Sequence, residues 1–213
     1  NSWKNDLNIN LLTLIKPSEI EQHSGSYDFV LSCPTETSNG LLTPINKLRK
    51  LADKTGAKLA LDATASIGLE TGHQLADILC YSSCKGLFGL TGASFVSYKA
   101  PPTKYFTKSF YLNLETHRNR GVTGPYHTIQ SLQKTLQNHD VYRNRVRIGR
   151  DYFLQRFHAD LSLGEQDQPL LCTALNKKII AKNQNVILYQ PRVSQFLSIV
   201  CHIGVIHLEG ALN

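Results

Sequence analysis

Three short apolar runs, each closed by small or polar residues, constrain this chain more than any other feature. Residues 57–61 (AKLAL) run into Asp62. Residues 78–81 (ILCY) run into Ser82-Ser83-Cys84-Lys85-Gly86, and residues 93–98 (ASFVSY) complete the set. Short apolar runs bounded by glycine and small polar residues read as buried strands. On that reading Asp62 and Lys85 each sit just past the C-terminal end of a buried strand. In open α/β sheets that rim is where ligands bind. Upstream, residues 27–32 (YDFVLS) form another strand. Residues 44–55 carry Ile45, Leu48, Leu51 and Ala52 at helical spacing, with Pro44 near the first turn and Gly56 as the stop. Strand, helix and strand make a βαβ unit.

One acid and one lysine at such a rim point to a specific chemistry. A lysine amine held neutral attacks a carbonyl to form a Schiff base. Pyridoxal 5'-phosphate needs that lysine, and also an acid against its pyridinium nitrogen so that the ring can take up electrons. Lys85 and Asp62 fit the two roles, and the small residues at 63–68 would let a flat cofactor lie close to the backbone. Spacing alone fits an ordinary surface lysine and a turn-starting aspartate better.

The residues themselves move that balance. Glu36-Thr37-Ser38-Asn39-Gly40, then Asp62-Ala63-Thr64-Ala65-Ser66-Ile67-Gly68, then Ser82-Ser83-Cys84-Lys85-Gly86 resemble, in that order, the class V pyridoxal-phosphate aminotransferases. They look most like the 2-aminoethylphosphonate–pyruvate and alanine–glyoxylate enzymes. The resemblance runs from about Tyr27 to about Tyr142 and is fainter beyond. It implies an α/β fold of the aspartate-aminotransferase type (fold type I), with a large domain of mainly parallel sheet and a small α+β domain. Residues 1–140 would be the C-terminal part of the large domain and 141–213 the small one. The resembled enzymes are longer, mostly upstream, so the chain is expected to be incomplete at its N-terminal side.

The resemblance also assigns roles. Lys85 would hold pyridoxal 5'-phosphate and move the substrate's α-proton, and Asp62 would keep the pyridine nitrogen protonated. Thr37 matches a hydroxyl near the ring oxygen, and Thr64 a residue beneath the ring. Thr123, before a helix read at 129–137, matches a threonine that reaches the cofactor phosphate of the neighbouring subunit, which implies a homodimer. Arg120 is a weaker candidate for that phosphate. Relatives often carry Asn or Gln before the lysine, and cysteine desulfurases a His. Here Cys84 stands there, which leaves Ser83 as a possible phosphate contact. Near the C-terminus the resembled enzymes place an arginine that clamps the substrate carboxylate, yet residues 196–204 read FLSIVCHIG and are apolar at the aligned position. Arg192 lies upstream in a loop.

Size and charge bound the rest. The 213 residues are 41% hydrophobic, ordinary for a globular protein, and contain no Met. The net charge of +7 permits a polyanion partner, but the basic residues are scattered apart from Arg143, Arg145, Arg147 and Arg150, which read as a solvated helix face. No nucleic-acid partner is therefore expected. Five cysteines without CxxC spacing read as free thiols in a reducing compartment. No apolar run approaches a membrane span, so no membrane partner is expected and the cytoplasm is the default location. No metal site is read.

Further elements complete the expectation: a strand at 9–15, a long loop at 101–120, a long amphipathic helix at 141–158, strands at 170–174, 186–189 and 196–201, and a helix at 175–183. Asp77 reads as structural and His73 as a solvated turn residue. Together these predict amino-group transfer between an amino donor (an amino acid or aminophosphonate) and a 2-oxo acid. The alternatives are a pyridoxal-phosphate lyase or decarboxylase of the same fold and, from another class, a non-catalytic basic interaction module.

Overall fold

The computed structural model describes residues 10–101, 113–121, 124–180 and 198–203. β1 (Phe29–Ser32) leads into a small antiparallel hairpin, β2 (Thr35–Glu36) and β3 (Leu41–Leu42), and then into α1 (Ile45–Thr55) and β4 (Lys58–Asp62). α1 buries Ile45, Leu48, Leu51 and Ala52 on one stripe, the spacing that a 3.6-residue period dictates. That stripe packs on Leu59 and Leu61, which alternate along β4 with the exposed Lys58 and Asp62. Each buried leucine contributes on the order of 1.5–3 kcal/mol. α1 stops at Gly56, whose φ of 69° is a left-handed conformation that glycine adopts at little cost, and Ala57 N–H then closes on Ala52 C=O at 2.8 Å.

β5 (Ile78–Ser82) and β6 (Ser94–Tyr98) complete a four-stranded sheet in the order β1-β4-β5-β6. β1 and β5 both run parallel to β4, whereas β6 runs antiparallel to β5. A parallel return needs a crossover of a dozen or more residues, and the link from Ser82 to Ser94 is too short to provide one. The sheet is thus mainly parallel, as anticipated, with an antiparallel last strand.

Asp77 locks the sheet to α1. Arg49 donates to its Oδ2 at 2.7 Å and Leu59 N–H to the same oxygen at 2.8 Å, while Lys99 stands 3.6 Å from Oδ1. Burial works against the charge. Leu59 N–H and Arg49 outweigh it and hold the carboxyl below its ordinary range.

Downstream come α2 (Leu114–Arg120), α3 (Tyr126–Gln137), α4 (His139–Arg156), and an antiparallel pair, β7 (Cys172–Leu175) with β8 (Ser198–Cys201). A second core joins Ala65, Leu69 and Phe88 to Val146 of α4, Cys172 of β7 and Ile199 of β8.

Several expectations change. Part of the anticipated loop at 101–120 is α2, started by Asn113, whose side chain accepts from Thr116 N–H at 3.0 Å, and ended by Gly121 at φ 54°. Residues 11–16 form no strand, and Leu175 ends β7 rather than starting a helix. The arginines of α4 are not uniformly solvated: Arg143 donates to Leu69 C=O at 3.1 Å, and Arg150 to the carbonyls of Glu165 at 2.9 Å and Gln168 at 3.1 Å. The strand read at 186–189, Arg192 and Thr123 lie outside the described residues.

Candidate active site

Two turns at the C-terminal rim of the sheet form the site. β4 ends on Asp62, which is exposed, and Asp62 Oδ1 accepts the N–H of Thr64 at 3.0 Å. An aspartate that bonds the backbone two residues on tightens a turn. β5 ends at Ser82, and a single 3-10 turn over Lys85–Leu87 follows. The turns are joined directly, since Gly86 N–H donates to Thr64 C=O at 3.2 Å. A Cβ at residue 86 would overlap the carbonyl oxygen of Ile67, so only glycine fits where the turns touch.

Lys85 and Phe88 adopt φ of 27° and 61°, the two non-glycine residues with positive φ among the described residues. Such conformations cost about 1–3 kcal/mol each and persist only where surrounding contacts impose them. Lys85 opens the 3-10 turn and Phe88 follows it, and Lys85 is exposed.

The hairpin brings in Thr37. Lys85 Nζ donates to Thr37 Oγ1 at 3.4 Å, a long hydrogen bond. Glu36 Oε1 accepts Ser38 N–H at 2.8 Å and Asn39 Oδ1 accepts Leu41 N–H at 3.1 Å, so side chains shape the hairpin tip. Gly40 has φ 71° and faces Ala174 of β7, where a Cβ would approach to 2.7 Å. The hairpin carrying Thr37 is therefore pressed against β7.

The thiols report the local field. Burial pushes Cys33 up to about 11, with Asp62 and Glu36 adding to the rise and Lys85 opposing it. Two carboxylates and the lysine thus act on one point beneath the rim. Cys172 is pushed up to about 12 by burial first and by Cys201 second, again with Lys85 opposing.

Of the anticipated residues, Lys85 reaches Thr37, and Asp62 and Thr64 share the adjoining turn at the rim. Ser83 does not join them. It is fully buried, its hydroxyl donates to Leu90 C=O at 2.5 Å and accepts Ala93 N–H at 3.3 Å, and it therefore closes the loop between β5 and β6 instead of facing a phosphate. Cys84 Sγ lies 2.9 Å from Ser82 Oγ. His73 is half-buried rather than solvated, with Nε2 2.9 Å from Ser66 Oγ, and burial lowers its pKa. Ile199 of β8 is buried in the second core, and residues 196–204 contain no arginine. The contribution of Glu36 was not read from the sequence, although Glu-x-Ser ahead of Asn-Gly is a turn signal.

No family profile and no curated protein sequence matches the chain. Solved structures do. An alanine–glyoxylate aminotransferase from Nostoc sp. is 18% identical with a TM-score of 0.61, over 76% of this chain and 49% of that one. A phosphoserine aminotransferase from Cytophaga hutchinsonii is 15% identical with a TM-score of 0.62, over 89% of this chain and 62% of that one. The fold is that of the aspartate-aminotransferase type. A cysteine desulfurase from Thermococcus onnurineus NA1 shares it, at 15% identity and a TM-score of 0.55, over 76% of this chain and 47% of that one. The chain thus spans about half to three-fifths of the length of these neighbours.

Among the described residues no helix is long and apolar enough to cross a membrane, and no cluster of His, Cys, Asp or Glu would hold a metal ion.

Proposed function

We propose that the protein is a pyridoxal-phosphate-dependent aminotransferase, moving an amino group between an amino donor and a 2-oxo acid. The observation that carries the reading is the meeting of Lys85 with Thr37 above the turn that begins at Asp62, at the C-terminal rim of an aminotransferase-type sheet. The donor set suits the cofactor: an exposed primary amine, an exposed carboxylate one turn away, a hydroxyl near the amine, and small residues between them. When bound, the cofactor supplies an aldehyde for the amine and an electron sink for the substrate's α-carbon.

In this reading Lys85 Nζ would hold the cofactor and would move the proton at the substrate's α-carbon as general base and acid. Asp62 would stand against the ring nitrogen and keep it protonated. Thr37 would orient the amine and offer its hydroxyl to the cofactor, and Thr64 would support the ring. The test is borohydride reduction in the presence of pyridoxal phosphate followed by peptide mapping. Label on the peptide with Ser82 to Gly86 is the expected result, and label on another lysine overturns the assignment.

A homodimer with shared sites belongs to the same proposal, with Thr123 reaching the partner's cofactor phosphate and a domain boundary near residue 140. Mixing Lys85→Ala with Thr123→Ala subunits would then restore part of the activity, because one site of each mixed dimer carries neither change. Mixed dimers no more active than the parents would place Thr123 in its own subunit's site. A cytoplasmic location completes the reading.

The absence of an arginine from residues 196–204 favours one second reading, a lyase or decarboxylase of the same fold with a different hold on the substrate. Consumption of the amino substrate without any 2-oxo acid acceptor would select it.

A further inference from the structure

We infer that His139 is the positioning residue that sets the Lys85 turn, an inference that rests on the reading of Lys85 as the cofactor-holding lysine. His139 is the first residue of α4 and reaches back 53 positions to the carbonyl of Gly86, 2.9 Å from its Nε2. A carbonyl only accepts, so Nε2 carries the proton and the bond fixes the ring's tautomer. The residue whose carbonyl is held is the one immediately after Lys85.

Three further features make this a built contact. Gly68 has φ 75°, and a Cβ there would stand 2.6 Å from His139 Nε2, so the imidazole edge fills a notch left by a missing side chain. Gly86, the acceptor, is itself pressed on Ile67, so its carbonyl is aimed from both sides. The imidazole also lies against Phe88, with ring centroids 5.1 Å apart, and Tyr142, one turn further along α4, meets the same ring edge-on at 5.8 Å. Phe88 is one of the two non-glycine residues held at positive φ among the described residues, and Lys85 is the other. His139 therefore grips both ends of the strained turn: the carbonyl after Lys85 through Nε2, and Phe88 through its ring face. The strain of that turn needs an outside restraint, and α4 provides it.

The test separates this inference from the reading of Lys85. In the unmodified protein, two-bond nitrogen–proton NMR should show the Nε2–H tautomer for His139, and an Nδ1–H ring overturns the inference. His139→Phe keeps a ring against Phe88 but removes the donor, while His139→Gln places an amide donor near the position of Nε2. The Phe variant should lose protection from hydrogen exchange at the amides of residues 86–89. It should also slow borohydride-trapped labelling of Lys85 by about tenfold, the scale of a small misplacement of a reacting group. The Gln variant should restore both. Wild-type labelling rates in the Phe variant, or no restoration by Gln, overturn the inference. If the Phe variant does not fold, the tautomer and the Gln variant's exchange and labelling decide. Should the wild-type label fall on another lysine, the reading of Lys85 fails, while the tautomer and exchange results still judge the grip on the turn.

Discussion

Thr37 Oγ1 lies 3.4 Å from Lys85 Nζ, although 48 positions separate the two residues. The contact depends on a hairpin tip shaped by Glu36 and Asn39 and pressed against β7, so it reports the packing of the whole rim. Replacing Thr37 by Val keeps the shape and removes the hydroxyl. The expected outcome is about a tenfold loss of pyridoxal-phosphate affinity, equivalent to one hydrogen bond of about 1.4 kcal/mol, read by visible titration. Thr37→Ser should recover most of it.

Asp62→Asn tests the second role. The amide can still bond Thr64 N–H, so the fold and cofactor binding should persist. Turnover should fall by about a thousandfold or more, because a neutral pyridine is a poor electron sink. Near-normal turnover would mean that Asp62 does not face the ring nitrogen.

Ser83→Ala checks the reassignment of that residue. Its hydroxyl holds Leu90 and Ala93 in the loop before β6. Stability should drop by about 1–2 kcal/mol, the cost of an unsatisfied buried partner, measured by denaturant unfolding. Cofactor affinity at concentrations where the variant is folded should stay within about twofold, because no phosphate contact is lost.

His202 makes the protein sensitive to acid. It is fully buried, with Nε2 2.8 Å from Thr173 Oγ1, and its pKa is lowered to about 3 by burial first and by Arg150 second. The unfolded chain binds this proton at about pH 6.5, so between that value and about 3 the unfolded state holds more protons than the native one. Stability is full above the unfolded pKa and falls as the pH drops through this window, by up to about 1.4 kcal/mol per pH unit from this group. His73, also lowered by burial, adds in the same direction. His202→Gln should flatten the slope between about pH 4 and 6 by close to one proton, and an unchanged slope would rule out the assignment.

Asp77→Ala should destabilise by about 2 kcal/mol, since it removes the 2.7 Å ion pair with Arg49, which keeps Asp53, and the acceptor of Leu59 N–H. Wild-type Asp77 stabilises fully above the unfolded carboxylate pKa, and that contribution fades as the pH falls through its lowered native value. Urea midpoints of the variant at pH 7 and pH 3 would show the difference shrinking.

Much of this architecture was legible in the sequence because breakers and periodicity agree there. Pro44, the apolar stripe from Ile45 to Ala52, and Gly56 mark α1, and the apolar runs ending at Asp62 and Ser82 mark two strands and hence the rim. The direction of β6 was not written in its own residues, because it follows from the length of the link. α2 was missed because its start rests on one side-chain cap at Asn113. The burial of Ser83, the carbonyl contacts of Arg143 and Arg150, and the place of His73 are tertiary facts that no local pattern carries. The lack of an arginine in residues 196–204 was legible as a departure from the resembled enzymes.

The register between β4 and β5 pairs Asp62 with Cys80, and it has a consequence for how such a protein fails. Leu59 and Leu61 alternate with more exposed residues along β4, so the smallest slip of that strand that keeps them inside is two residues, or about 6.6 Å. That error would part Asp77 from Leu59 N–H and shift Asp62 from Lys85 by about the same distance. A misregistered chain would keep its helices while separating the two residues on which the proposed cofactor site rests.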